Sequence, residues 1–418
     1  MEQRQIDRSS FVQEIPIKAI RLPATRAQSL LKSLAQYLFN RKGFPKIAHV
    51  AEDCKQRLLL LRPDLGEVPA EITALELPVE DYTVKVAYEH LSYGKGQVEE
   101  VMKQLLPAEV IIPTGFETVG HLAHFNLSDS QLPYKHLIGQ VVIDVPFTQK
   151  THVKTVVNKL ENIHNTFRTF EMELIAGDPN FTVTQKEGNC YFSFDFRKVY
   201  WSSKLSNERQ RLLQLLRPGE VLCDLFAGVG PLSVQAAKKG LTVIANDLNP
   251  ECYESMLANA AKNKVSANMH VYNLDARAFF RAVIATSRAE IAVDDKLRQP
   301  PFEVLPATIH HVYMNLPMDA LDFVDVFVGA FEPGQQLPLL HIYAFSALED
   351  PREEFVERIT GIWGQWDSSR MVVIPVRDVA PRKMMFCVQM ELEPGVAYHK
   401  KRSSPDPSPD TEKRPKLD

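Results

Sequence analysis

At 418 residues the chain is too long for one ordinary domain and reads as two or three, each able to bury a core. A net charge of −4 does not itself call for a polyanionic partner, yet residues 1–60 carry 11 Lys and Arg against 5 Asp and Glu, and residues 149–168 carry 4 against 1. Such local basic surface fits a polyanion gripped at chosen places, although solvated helix faces explain it equally well. Cys54, Cys190, Cys223, Cys252 and Cys387 form no C-x-x-C pair, which excludes a zinc knuckle or disulfide framework and fits a reducing compartment. With no long apolar run and no signal-peptide core, the expectation is a soluble protein that is not secreted, with no membrane partner.

Ala24 to Asn40 has helical periodicity with Arg26 and Lys32 on its polar side, and Lys46, Lys55 and Arg57 continue the basic character up to the apolar run Leu58–Leu61. Pro63, Pro69 and Pro78 punctuate the passage into a second unit. Residues 1–100 are read as a small accessory domain, with RNA contact and a purely structural role both open. Val98 to Leu105 predicts a short helix, and Phe116 to Leu127 alternates like a strand that turns polar. His121 and His124 lack a third ligand at suitable spacing, so no metal is expected. Tyr134 to Gly139 reads as helix and Val141 to Ile143 as strand. Lys150, Lys154 and Lys159 precede an alternating strand, Phe167 to Gly177, that carries Arg168. Thr182–Gln185 and Cys190–Asp195 flank Gly188-Asn189, a hairpin signal. Residues 101–200 are therefore read as an α+β unit whose basic, aromatic-rich sheet suits single-stranded RNA.

The most informative stretch is Val221-Leu-Cys-Asp-Leu-Phe-Ala-Gly-Val-Gly-Pro231. Its apolar start predicts a buried parallel strand, Gly228 and Gly230 a tight turn open to a ligand, and Pro231 the first turn of a helix over Leu232–Lys239. Together they make a nucleotide-sized pocket at a strand's carboxyl end. A dinucleotide fingerprint would place a third glycine where Ser233 stands. The form present, D-x-x-x-G-x-G, resembles the first motif of class I S-adenosylmethionine methyltransferases. The strand Thr242–Asp247 ends in a second acid, 19 residues after Gly228, placed to accept hydrogen bonds from ribose hydroxyls. A helix over Pro250–Lys264 and a strand over Met269–Leu274 bring Asp275 to the same edge, where in this fold an acid reaches the adenine amino group. Ile309–Met314 predicts the fourth strand and delivers Asn315-Leu316-Pro317, with Leu316 and Met318 replacing the second proline and the aromatic of the motif used on exocyclic amines. Thr286–Pro301 reads as a surface insertion, Leu339–Phe345 as the fifth strand, Glu353–Trp363 as a helix, and Val372–Val376 with Met384–Met390 as the last strand pair.

Phe194 to Arg209 runs straight into this pocket. With His121–Leu127, Ile138–Asp144, Asp224–Pro231, Asn246–Pro250 and Asn315–Pro317, it resembles the archaeal and eukaryotic tRNA (guanine(37)-N1)-methyltransferase family over roughly residues 105–395. The resemblance implies a doubly wound, Rossmann-like α/β methyltransferase domain (201–395) after the α+β RNA-binding unit and the N-terminal, tRNA-sensing domain. It implies S-adenosylmethionine as methyl donor and a tRNA with guanosine at position 37 as partner. By the same resemblance Glu208 is the general base, Arg168 faces guanine O6 and Asn315 holds the flipped base. Tyr200 and Arg209 line that pocket, and the cofactor is held by Asp224, Gly228, Gly230, Asp247, Leu248, Asn249, Asp275, Ala276, Asn315 and Pro317. Lys204 stands where the family pattern often shows Arg, keeping the charge but losing the planar fork.

Two alternatives use the same residues. One is transfer of the cofactor's aminocarboxypropyl arm to a tRNA base, and the other is a noncatalytic RNA-binding scaffold. Ser206-Asn-Glu-Arg209 also reads as a helix cap, which would leave Glu208 a merely structural residue. Residues 396–418 are Pro-, Ser- and charge-rich and expected to be disordered. Lys400–Arg402 and Lys413–Lys416 read either as a bipartite nuclear import signal or as a solubilising tail. A monomer is expected in cytoplasm and nucleus, with a mitochondrial matrix fraction.

Overall fold

The computed structural model describes residues 12–41, 44–50, 53–87, 95–113, 115–144, 153–160, 167, 169–287, 305–306 and 308–398. It divides into two compact units, 1–162 with 171–181, and 163–170 with 182–418. The expected insertion over 286–301 lies outside the described residues apart from its first two, as do Lys150, Arg168 and the basic clusters of the tail.

The first unit contains two four-stranded sheets. β1 (Val12–Pro23), α1 (Ala24–Ser33), β2 (Ile47–His49), β3 (Gln56–Leu60), α2 (Ala70–Thr73) and β4 (Val79–Ala87) build an antiparallel sheet in the order β2-β3-β1-β4. Period-two alternation on β1 sends Ile17 and Ala19 into one core and Ile20 and Leu22 into another, so both faces of the sheet are covered. The helix expected over Ala24–Asn40 stops at Ser33 and is followed by a 3₁₀ turn at Ala35–Tyr37. Next come α3 (Lys95–Leu105), β5 (Glu117–Val119), β6 (Leu122–Phe125), α4 (Lys135–Asp144), β7 (Thr155–Lys159) and β8 (Met172–Gly177), with strand order β5-β6-β7-β8.

Two expectations are corrected here. Phe116–Leu127 is not one strand but a hairpin, with Val119 pairing Leu122 around Gly120. Val141–Ile143 is not a strand but the last full turn of α4. Ile138, Val141 and Val142 share a buried helical face packed into the same core as Val156 and Ile175, and that burial outweighs the β preference of a branched run.

The second unit opens with a hairpin, β9 (Thr182–Glu187) and β10 (Cys190–Asp195), turning at Gly188-Asn189 as expected. It continues through α5 (Ser206–Leu215), β11 (Val221–Asp224), α6 (Ser233–Lys238), β12 (Thr242–Asn246), α7 (Pro250–Lys262), β13 (Met269–Tyr272), α8 (Ala276–Ser287), β14 (His311–Met314), β15 (Leu339–Ser346), α9 (Arg352–Trp363), β16 (Val372–Ala380), β17 (Lys383–Glu391) and α10 (Pro394–Ala397). The seven strands order as β13-β12-β11-β14-β15-β17-β16, parallel through β15, with β17 inserted antiparallel. This is the doubly wound domain expected. Strand order reverses between β11 and β14, the point where such sheets open a crevice for ligands.

The hairpin belongs to this second unit rather than to a unit spanning 101–200, as its place in the sequence suggests. Asn259 Oδ1 accepts from Ser193 N (2.8 Å) and Asn263 Oδ1 from Tyr191 N (2.9 Å), so α7 holds β10 by its backbone. On the other side Arg209 of α5 donates to both carboxylate oxygens of Glu187, with Nε 2.6 Å from Oε1. Both residues are buried, at 4% and 6% exposure, so the pair has no water to fall back on. Arg209→Met should therefore strand a buried carboxylate and lower unfolding stability by about 3–5 kcal/mol. The double variant Glu187→Leu/Arg209→Met should recover most of that loss in urea denaturation. A single variant as stable as wild type would show the pair to be incidental.

Candidate active site

Loops leaving β11, β12 and β13 must meet at one edge for their acids to cooperate, and one buried side chain joins them. Asn246, the last residue of β12, donates through Nδ2 to Leu225 O (3.3 Å) and Leu274 O (3.0 Å), and its Oδ1 accepts from Leu274 N (2.9 Å). Asn273 adds bonds from Nδ2 to Asp247 O (2.7 Å) and Leu248 O (2.9 Å). Asn246 opens the stretch Asn246–Pro250 but the motif assigns it no role of its own, and Asn273 lies outside the motifs; an Asn ending a buried strand is a signal that backbone groups there need partners.

Asp224 is 1% exposed; Oδ2 accepts from Ser233 Oγ at 2.5 Å and Oδ1 from Phe226 N at 3.3 Å. Ser233, which displaces the third glycine of a dinucleotide fingerprint, thus has a use of its own. Burial pushes the Asp224 carboxyl up to about 7, with the Ser233 and Phe226 hydrogen bonds opposing the rise. Asp247 spans the glycine turn, Oδ2 accepting from Gly228 N (2.7 Å) and Oδ1 from Asn249 N (2.9 Å). Burial raises its carboxyl too, against those two backbone bonds and a bond with Cys252. Gly228 (φ +58°) has open space where a Cβ would stand, whereas a Cβ on Gly230 (φ +82°) would lie 3.0 Å from Met256 Cγ. The first glycine leaves room for a ligand, and the second lets the turn pack on α7.

Asp275 is exposed and caps α8, Oδ1 accepting from Arg277 N (3.0 Å) and Ala278 N (3.2 Å). Ala276 is buried behind it. After β14, Asn315 Oδ1 is buried and accepts no hydrogen bond from the described residues, so it calls for a donor from a ligand. Pro317 O accepts from Phe345 N (3.1 Å), tying the ends of β14 and β15 together. Tyr200 and Leu248 are exposed apolar groups, at 44% and 46%.

Two expected ligand residues are spent elsewhere. Besides Glu187, Arg209 donates to Ser202 O (3.1 Å) and lies 5.5 Å from the Trp201 ring centroid, so it clamps the hairpin rather than lining a pocket. Asn249 caps α7 through Oδ1 to Glu251 N (3.0 Å) and donates through Nδ2 to Lys198 O (2.7 Å), leaving its backbone as the part that serves the edge. Glu208 is no cap member either, since the residue capping α5 is Leu205 and no side chain caps that end. Its carboxylate accepts from Arg211 Nη2 (2.6 Å) and Nε (2.7 Å) and from Tyr343 OH (2.6 Å). Nothing in the local pattern points to Tyr343, which lies 135 residues away on β15.

Residues 182–292 match the family described as the TRM5/TYW2 methyltransferase domain, and residues 98–180 match the TYW2 N-terminal domain. The tRNA (guanine(37)-N(1))-methyltransferase of Homo sapiens is 34% identical over 417 residues, covering 96% of this chain and 78% of its own length. That of Danio rerio is 37% identical over 427 residues, with coverages of 94% and 82%. The chain belongs to the tRNA (guanine(37)-N1)-methyltransferase family. Among solved structures, Trm5b from Pyrococcus abyssi matches with a TM-score of 0.60 at 23% identity, over 90% of this chain and 99% of that one. The complex of aTrm5 and tRNALeu matches at 0.63 and 21%, with the same coverages. At these identities the likeness speaks for the fold.

The family's cofactor is S-adenosylmethionine, and the edge fits it. Gly228 leaves the space, Asp247 keeps one spare lone pair for a ribose hydroxyl, and Asn315 Oδ1 lacks a donor that a ligand could supply.

Burial of Asp224 has a measurable consequence without any ligand. Between about pH 4 and 7 the folded chain keeps a proton that the unfolded chain has released, so this group's contribution to stability is present at low pH and lost as pH rises through 7. Asp224→Asn mimics the protonated form and should flatten that decline, which is on the order of a few kcal/mol. Urea unfolding at pH 5 and 7.5 measures it, and an unchanged decline would show Asp224 to be ionised throughout.

Proposed function

We propose that this protein transfers a methyl group from S-adenosylmethionine to N1 of guanosine 37, the base beside the anticodon, in tRNA. Family membership over nearly the whole chain carries this reading. Bound at the edge, the cofactor supplies an electrophilic methyl group on a sulfonium. The protein's part is to place the base and remove a proton.

Neutral guanine holds a proton on N1 and is a poor nucleophile until that proton leaves, so the site needs an acceptor at N1 and a donor or cation at O6, where negative charge develops. Glu208 is the proposed acceptor. Among the described residues, three of its four carboxylate lone-pair positions are filled, by Arg211 twice and Tyr343 once, and one on Oε2 is left for the N1 proton. Asn315 Oδ1 would accept from guanine and orient it, Tyr200 offers an exposed ring for stacking, and Arg168 would serve O6. Asp247 and Asp275 would hold the ribose and the adenine amino group. Residence in nucleus and cytoplasm, with a mitochondrial fraction, is part of the same proposal, the tail's two basic clusters supporting nuclear import.

A second reading, aminocarboxypropyl transfer to a tRNA base, has its own support in the match of residues 98–180 to the TYW2 N-terminal domain. It would use the same edge but needs no proton acceptor at guanine N1. Glu208→Gln therefore separates the two. On a tRNA transcript with guanosine 37, single-turnover methylation should fall roughly 100-fold or more while cofactor affinity by calorimetry stays the same. Near-normal methylation would remove Glu208 as the base.

A further inference from the structure

Glu208 could meet substrate from many rotamers if it were held only by its own backbone, yet groups from two different elements fix it. Arg211, one turn along α5, grips both carboxylate oxygens, and the Tyr343 hydroxyl reaches Oε1 from β15. Tyr343 is 1% exposed and the Glu208 side chain 9%, so little water reaches the carboxylate itself, while the Arg211 side chain keeps 31%. We propose that Tyr343 and Arg211 are positioning residues for guanine N1 methylation, holding the Glu208 carboxylate in one orientation that leaves a single Oε2 position to receive the N1 proton. The inference rests on the proposed function.

The proton step balances within this arrangement. The N1–H bond breaks with its electron pair staying on N1, an O–H bond forms at Oε2, and the three existing hydrogen bonds remain in place. Burial and the bond to Glu208 hold the Tyr343 hydroxyl well above the ordinary phenol range, so it stays a donor. The Glu208 bond likewise keeps the Arg211 guanidinium fully charged. The other groups near Glu208 are Tyr313 from β14 and Cys387 from β17, both buried and pushed upward, so neither carries charge at neutral pH. His341, beside Arg211, is held down at about 3 by burial and by the charges of its neighbours, so it too is neutral.

Tyr343→Phe removes one hydroxyl from a buried ring that keeps its edge contact with Tyr313, at 5.3 Å between centroids. Single-turnover methylation of a guanosine-37 transcript at saturating enzyme should slow about tenfold, the effect of one hydrogen bond to a charged group, with tRNA affinity unchanged. Cofactor affinity should not change. Arg211→Gln should slow the step further, and Arg211→Lys should restore only part of the rate, because it returns charge without the fork. A merely structural role would lower the melting temperature and leave the saturating single-turnover rate of the folded protein unchanged, and that result in both Tyr343→Phe and Arg211→Gln overturns the proposal. Wild-type protein that methylates nothing would instead overturn the function on which it rests.

Discussion

Everything at the cofactor edge depends on the buried carboxamide of Asn246. Parallel strands end with unpaired backbone groups, and three chain segments leave this sheet side by side. Asn246 satisfies groups of Leu225 and Leu274 while sitting between them, so the segments that carry Asp224, Asp247 and Asp275 are fixed to one another before any ligand arrives. With that join made, Asp247 can brace the glycine turn and Asp224 can be buried against Ser233. The geometry a cationic, ribose-bearing cofactor needs is thereby present in advance, which lowers the ordering cost of binding.

The second unit spends its charged groups in two different ways. Arg209 and Glu187 are buried together and serve to seat the hairpin on the sheet. Arg211 and Glu208, on the same helix, keep more exposure, 31% on the Arg211 side chain and 9% on that of Glu208. Glu187 and Glu208 each accept three hydrogen bonds, so the two pairs differ in exposure and not in how many acceptor positions are filled. Neighbouring arginines on α5 thus form one pair withdrawn from water and one that keeps contact with it.

The α/β order, the hairpin at Gly188-Asn189 and the three acids at successive strand ends were all legible in the chain, because each rests on local chemistry: apolar runs closed by an acid, or a turn that requires glycine. The features that were not legible are decided across long sequence separations. Val141–Ile143 looks like a strand until Val156 and Ile175 are known to cover the helix. Ser206-Asn-Glu-Arg209 looks like a cap until Tyr343 reaches Glu208 from β15. The family resemblance alone places Arg209 in the pocket, and its partner Glu187 lies in a strand whose docking the pattern does not reveal. Ser233 looks only like a missing glycine, although its hydroxyl holds Asp224.

The proposed methyl transfer to guanine N1 has one direct chemical readout. Purified protein, S-adenosylmethionine and an unmodified tRNA transcript with guanosine at position 37 are incubated, the tRNA is digested, and the nucleosides are separated and identified by mass spectrometry. The expected product is N1-methylguanosine from position 37 alone. An aminocarboxypropyl nucleoside, a methyl group on an exocyclic amine, or an unchanged guanosine despite measured cofactor binding would each contradict the account.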